Sequence, residues 1–109
     1  MIIRGGENVY PKEIEAVLNG DPGVLEVAVI GRPDEMLGEI VVAYVSLRPD
    51  ATTTVRDLAA LCESHLARYK RPVEIEIIAA IPKNPVGKLD KPTLRRLDAE
   101  RLLSGAVDR

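Results

Sequence analysis

The sequence predicts an α+β domain: a small, mostly antiparallel three-stranded sheet packed with about three helices and preceded by a short N-terminal hairpin-like segment. Two observations carry most of this. Residues 24–30 (VLEVAVI) and 39–47 (EIVVAYVSL) are β-branched runs of strand length. Residues 11–18 and 55–69 instead place apolar side chains at helical spacing. Breakers separate these segments, and 109 residues suit one such domain. With no Phe, no Trp and three Tyr, the core has to be built from Val, Ile, Leu and Ala.

In chain order, residues 1–4 form a short strand and Gly5-Gly6 a turn. Pro11 opens a helix at a position where its missing N–H costs nothing. Glu13 and Glu15 suit the positive end of the helix dipole, and Ile14, Val17 and Leu18 form the apolar stripe. Residues 19–23 (NGDPG) end it. Residues 31–38 (GRPDEMLG) read as a loop between the two strong strands, whose closeness in sequence predicts an antiparallel pair. Thr54 to Asp57 resembles a capping box. It opens a helix carrying Val55, Leu58, Leu61, Cys62, Leu66 and Tyr69, which Pro72 stops. Residues 73–81 fit a third strand, and residues 82–88 (PKNPVGK) a loop. Asp90 caps a last helix with Leu94 and Leu97 facing inward, and residues 104–109 form a frayed tail.

A net charge of −2 argues against a general nucleic-acid binder. The single Cys62 excludes an internal disulfide and a cysteine metal cluster, so a reducing cytoplasm is the expected compartment. The opening residues carry too short an apolar run for a signal peptide, and no stretch reaches transmembrane length.

Two irregular segments carry the chemical interest. Gly5-Gly6 precedes a helix, and paired glycines let a backbone approach a ligand closely. On its own, this is also a simple turn. Lys88 follows Gly87 in a proline-stiffened loop, where an ammonium suits a phosphate or carboxylate oxygen. On its own, it is also a solvated surface lysine. The loop lacks the Gly-x-x-x-x-Gly-Lys-Ser/Thr pattern of a P-loop.

Taken together and in order, GGENVYPKEIE (5–15), Ala67-Arg68-Tyr69-Lys70-Arg71-Pro72 and PKNPVGKLDK (82–91) resemble three signatures of the adenylate-forming superfamily, most closely its fatty-acyl and aryl CoA ligases. The resemblance spans residues 1–97 and implies a C-terminal mobile domain over residues 1–103. It implies ATP, CoA and a carboxylic acid as substrates, a large N-terminal domain as partner, and magnesium held on that domain. Lys88 matches the adenylation lysine. Gly5 and Gly6 match the loop that enters the active site for thioester formation. Tyr69, Lys70 and Arg71 match a segment that contacts the CoA nucleotide in some ligases; a core role for Tyr69 stays open. The hinge position of the family precedes Met1, and Val86 stands where Ser or Thr is usual. The resemblance also implies a lysine acetyltransferase acting on Lys88, because acetylation removes the charge. The isolated chain is expected not to catalyse adenylation. Fatty acid is the preferred substrate, with aromatic acid as the alternative. Two other functions stay open: a free-standing CoA-nucleotide-binding or in-trans partner module, and an unrelated regulatory domain. His65, Cys62, Arg95-Arg96 and Lys91 read as structural or solvated.

Overall fold

The computed structural model describes residues 1–108, with side chains through Ser104. Its elements are β1 (Ile2–Arg4), β2 (Glu7–Val9), α1 (Pro11–Leu18), β3 (Val24–Asp34), β4 (Gly38–Leu47), α2 (Val55–His65), a single 3-10 turn (Arg68–Lys70), β5 (Glu74–Ile77) and α3 (Lys91–Asp108). The fold is α+β, as the patterning predicts, but the sheet has five strands rather than three.

The β3–β4 ribbon is the spine. Its antiparallel register runs from Val24 opposite Leu47 to Asp34 opposite Gly38. Residues 31–34 therefore belong to a strand and not to the expected loop. The Asp34 carboxylate accepts from the N–H groups of Met36 (3.1 Å) and Leu37 (2.8 Å), which tightens the turn and lets pairing continue to its edge. The other edge of β4 carries two partners. At its start, Gly38 pairs with Arg4 of β1; further along, Val42 to Val45 pair in parallel with Glu74 to Ile77. A parallel neighbour needs a crossover, and α2 supplies it. The third strand is shorter than the expected 73–81 run, ending at Ile77.

Alternation along the ribbon builds two cores, one on each face. Val27, Val29, Val41, Ala43 and Val45 pack with Ile14 and Leu18 of α1 and Leu58 and Cys62 of α2. Ala28, Ile30, Val42 and Tyr44 pack with Ile81 and with Leu94 of α3. Cover on both faces explains why VVAYV lacks the polar alternation of a one-sided sheet. Burial pushes the Cys62 thiol up from its ordinary pKa, despite the nearby Arg71 charge, as expected for a core thiol.

Helix α2 opens on the expected capping box. Thr54 N–H donates to the Asp57 carboxylate at 2.9 Å, and Asp57 N–H donates to the Thr54 hydroxyl at 3.2 Å. It ends at His65, short of the expected stop at Pro72, because Leu66 turns to an extended conformation (φ −124°, ψ 141°). Tyr69 thus lies on the separate 3-10 turn. His65, exposed, has Nδ1 3.0 Å from the Leu61 carbonyl.

Asp90 caps α3 as expected, accepting from Thr93 N–H at 3.1 Å. The inward face differs. Leu97 is 39% exposed, and Asp98, one residue on, is 3% exposed. The reason is a partner from the sheet: Arg32 of β3 donates through Nε and Nη2 to both Asp98 oxygens, at 3.0 and 2.7 Å, and through Nη1 to Glu74 at 3.1 Å. The Tyr44 hydroxyl also donates to Asp98 and accepts from Arg101, which reaches Glu76 of β5 at 3.1 Å. Burial alone opposes ionisation of Asp98; the Arg32 and Tyr44 hydrogen bonds and the Arg32 charge outweigh it, leaving the carboxyl below its ordinary range. Over 104–109, where a frayed tail is expected, the α3 backbone is helical to Asp108, and residue 109 lies outside the described residues.

Asp98→Ala leaves Arg32 with half its partners in a buried site, so urea unfolding is expected to show a loss of about 3 kcal/mol. Burial, then the Asp98 hydrogen bond, raises the Tyr44 phenol to about 12. A pKa raised on folding stabilises fully below the unfolded value near ~10 and is lost as pH rises through the folded one. Stability should therefore fall between pH ~10 and ~12 by more in the native chain than in Tyr44→Phe, read by urea titration at each pH.

Candidate functional site

The β1–β2 turn is built for two residues in the left-handed region, with Gly5 at φ +55° and Gly6 at φ +85°. Chain neighbours aside, no atom of the described residues lies within 4 Å of where a Cβ on Gly6 would sit, so the turn's apex faces open space. Its flanks are fixed: Gly5 N–H donates to the Leu37 carbonyl at 2.8 Å, and Ile3 N–H to Glu39 Oε1 at 3.0 Å. The apex is thereby braced against the β3–β4 turn.

The 67–72 segment arrives at the same end. The 3-10 turn packs on β2, and Val73 N–H donates to the Val41 carbonyl at 2.8 Å. Lys70 Nζ lies 3.0 Å from Glu13 at the start of α1 and 5.6 Å from the centre of the Tyr69 ring. The Glu13 hydrogen bond is the main cause that raises the Lys70 pKa above its ordinary value. Tyr69 is half-buried against the α1–α2 core, so its ring is partly packing. Arg71 is half-buried and engages the backbone: its Nε donates to the Leu66 carbonyl (3.0 Å) and its Nη2 to that of Glu63 (3.1 Å). It caps the end of α2, where a cation also suits the dipole.

Lys88 sits elsewhere. Its loop is closed at the base by Asp90 N–H donating to the Pro82 carbonyl at 2.8 Å and by a bridge between Lys83 and Leu89. Lys83 is 3.0 Å from Glu26 of β3, and Lys91 is 2.9 Å from Glu15 of α1. The loop thus leaves the ribbon near Glu26, which pairs with Ser46, whereas the hairpin joins at Gly38. Eight residues of β4 separate those points, roughly 26 Å at about 3.3 Å per residue. The 3-10 turn that carries Tyr69 and Lys70 packs on β2, the strand that follows the Gly5-Gly6 turn, while the base of the Lys88 loop is tied to Glu26, toward the other end of the ribbon. Of the three lysines in residues 82–91, Lys83 and Lys91 are ion-paired; Lys88 is exposed and makes no ion pair among the described residues.

Sequence reasoning missed the partners Glu13, Glu15 and Glu26, the bracing role of Glu39, and the Arg32–Asp98 pair. Arg32 lies beside Pro33 in a run that reads as a solvated loop, and nothing local signals a partner 66 residues away. Among the described residues, no three His, Cys, Asp or Glu side chains come together to hold a metal ion, and no helix is long and apolar enough to cross a membrane.

This small α+β domain is the kind matched by the family of AMP-binding enzymes. The chain belongs to that family: the model of the AMP-binding enzyme C-terminal domain matches residues 13–88. It is 52% identical over 95 residues to the long-chain-fatty-acid–CoA ligase FadD13 of Mycobacterium tuberculosis, covering 87% of this chain and 19% of that protein. It is 47% identical over 94 residues to the fatty acid–[acyl-carrier-protein] ligase ScoC of Streptomyces coeruleorubidus, covering 86% of this chain and 18% of that one. In three dimensions it is similar to a fatty acyl CoA synthetase of Mycobacterium tuberculosis, with a TM-score of 0.82 and 50% identity over 89% of this chain and 19% of the other. The chain spans about a fifth of the length of the curated relatives it matches.

Arg71→Ala removes two charge-assisted bonds from the end of α2. Thermal or urea unfolding is expected to register a loss of about 1–2 kcal/mol. A variant of native stability whose only defect is weaker CoA binding would instead mark Arg71 as a nucleotide contact.

Proposed function

We propose that this chain is the mobile domain of an ATP-dependent acyl-CoA ligase acting on a fatty acid, and that its two ends serve two successive half-reactions. The observation that carries this reading is the separation of Lys88 from the Gly5-Gly6 turn along one rigid ribbon. The ATP, acid and magnesium sites are assigned to the large domain.

In the first half-reaction a carboxylate oxygen bonds to the α-phosphorus of ATP and pyrophosphate leaves. Two anions must meet, and negative charge grows on the α-phosphoryl oxygens. An unpaired ammonium delivered there stabilises the transition state more than the ground state. Lys88 is suited to this because no carboxylate among the described residues pairs with it. In the second half-reaction the thiol sulfur of CoA bonds to the acyl carbon and AMP leaves. The Gly5-Gly6 turn then faces the reacting centre, and the space beside Gly6 admits a pantetheine arm. Tyr69 and Lys70 lie at that end, offering an aromatic edge and a cation to the CoA nucleotide, while Arg71 supports them by holding α2. A fatty acid is preferred because the ligase FadD13 and ScoC are both named for fatty acids while differing in the thiol they load.

The two faces should dissociate under mutation in the full-length ligase. Lys88→Ala is expected to cut ATP–pyrophosphate exchange at least ~100-fold and to leave thioester formation from preformed acyl-adenylate intact. Gly6→Leu should show the reverse pattern, because a side chain then fills the open apex. Equal loss of both half-reactions in both variants would overturn the assignment. The exposed Lys88 is also proposed as a lysine acetyltransferase substrate. Mass spectrometry should find it acetylated, with adenylation lost in proportion; an unmodified Lys88 after treatment with acetyltransferase and acetyl-CoA would refute this.

A further inference from the structure

We propose that Asn84 is a positioning residue for Lys88, fixing the main chain from which the ammonium is delivered; the inference rests on the adenylation role assigned to Lys88 above. Asn84 grips the loop tip with four hydrogen bonds. Its N–H donates to the Lys88 carbonyl at 2.8 Å, and its own carbonyl accepts from Gly87 N–H at 2.9 Å. Its side-chain Oδ1 accepts from Lys88 N–H at 3.0 Å and from Val86 N–H at 3.1 Å. Both main-chain polar groups of Lys88 are therefore tied to a single residue.

Among the described residues, nothing else holds the tip. Pro85, Val86, Gly87 and Lys88 are all exposed, Val86 at 78%. Gly87 reverses the chain at φ +85° with no other atom within 4 Å of a Cβ there. The Lys83–Glu26 and Lys91–Glu15 pairs anchor the base of the loop and leave its apex to hydrogen bonding alone. A lysine side chain is long and has many rotamers, so the placement of its Cα decides how often the ammonium is where it is needed. A misplacement of ~1 Å can cost ~100-fold in rate.

The Asn84 side-chain amide nitrogen makes no hydrogen bond among the described residues, so the side chain acts here as an acceptor. Asp keeps that acceptor and Ala removes it. In the full-length ligase, Asn84→Ala is expected to lower kcat for ATP–pyrophosphate exchange ~10–100-fold. KM for ATP should stay within ~2-fold, since ground-state binding lies elsewhere. The thermal midpoint should move by no more than ~2 °C, and thioester formation from preformed acyl-adenylate should be unchanged. Asn84→Asp should recover exchange to within ~3-fold of wild type. Lys88→Ala runs alongside. If it abolishes exchange while Asn84→Ala stays within ~2-fold of wild type, the positioning role is overturned and the role of Lys88 stands. If Lys88→Ala exchanges normally, the adenylation reading has failed first. Equal loss of both half-reactions in Asn84→Ala, or no recovery in Asn84→Asp, would also overturn the proposal.

Discussion

The pairing of β3 with β4 over some ten residues, with both faces covered, is the constraint from which the rest of the domain follows. A strand pair buried on both sides has no free face for a ligand, and its side chains are spent on packing. Only the ends remain available. At one end the strands turn at Asp34 to Gly38 and brace the hairpin that carries Gly5 and Gly6. At the other, Glu26 takes the base of the Lys88 loop. On the proposed reading, the chemistry sits on irregular loops whose flanks are tied to the ribbon, the usual division of labour between loops and cores.

The α3 layer depends on a polar contact more than the α1–α2 layer does. That helix offers the ribbon Leu94 and Asp98 one turn apart, and the carboxylate meets Arg32 and Tyr44 in a place where water is largely excluded. Buried ion pairs gain little over well-packed apolar groups but cost a great deal when half-broken. Their value here is in register. A slip of α3 by one residue would withdraw Asp98 from Arg32 and bring Thr93 or Arg95 to where Leu94 packs. Because α3 begins at Lys91, immediately after the Lys88 loop, holding its register also fixes where that loop ends.

Much of this was legible in the sequence because the signals are local. Strand runs, the Thr54–Asp57 capping box, Pro11 at a helix start and Asp90 at another all depend on residues within a few positions. The glycine pair and the Gly-Lys loop were legible for the same reason. What was missed depends on distant partners. Residues 31–34 read as a loop because Gly, Pro and Asp are turn residues, yet strand pairing across a tight Asp34 turn outweighed that preference. Tyr69 carries helical spacing relative to Leu66 and Cys62, but α2 had already ended, with Arg71 folded back on its carbonyls. Leu97 is apolar and its spacing predicts an inward position; Arg32 draws Asp98 there instead. For Arg71 the motif resemblance pointed to CoA, and its hydrogen bonds point to helix capping.

The geometry also limits how the two ends can be used. Gly5 is tied to Leu37, Ile3 to Glu39, Lys83 to Glu26 and Lys91 to Glu15, all within one domain. The anchors of the two loops lie roughly 26 Å apart along β4, and the ribbon between them is packed on both faces. A loop rearrangement inside the domain does not span that distance. On the proposed two-step reading, exchange of one end for the other requires rotation of the whole domain against its partner, a hinge motion between rigid bodies. Rigidity is then a condition of the mechanism. Anything that loosens either end relative to the ribbon degrades the half-reaction served by that end and spares the other, whereas loosening α3 or the ribbon degrades both.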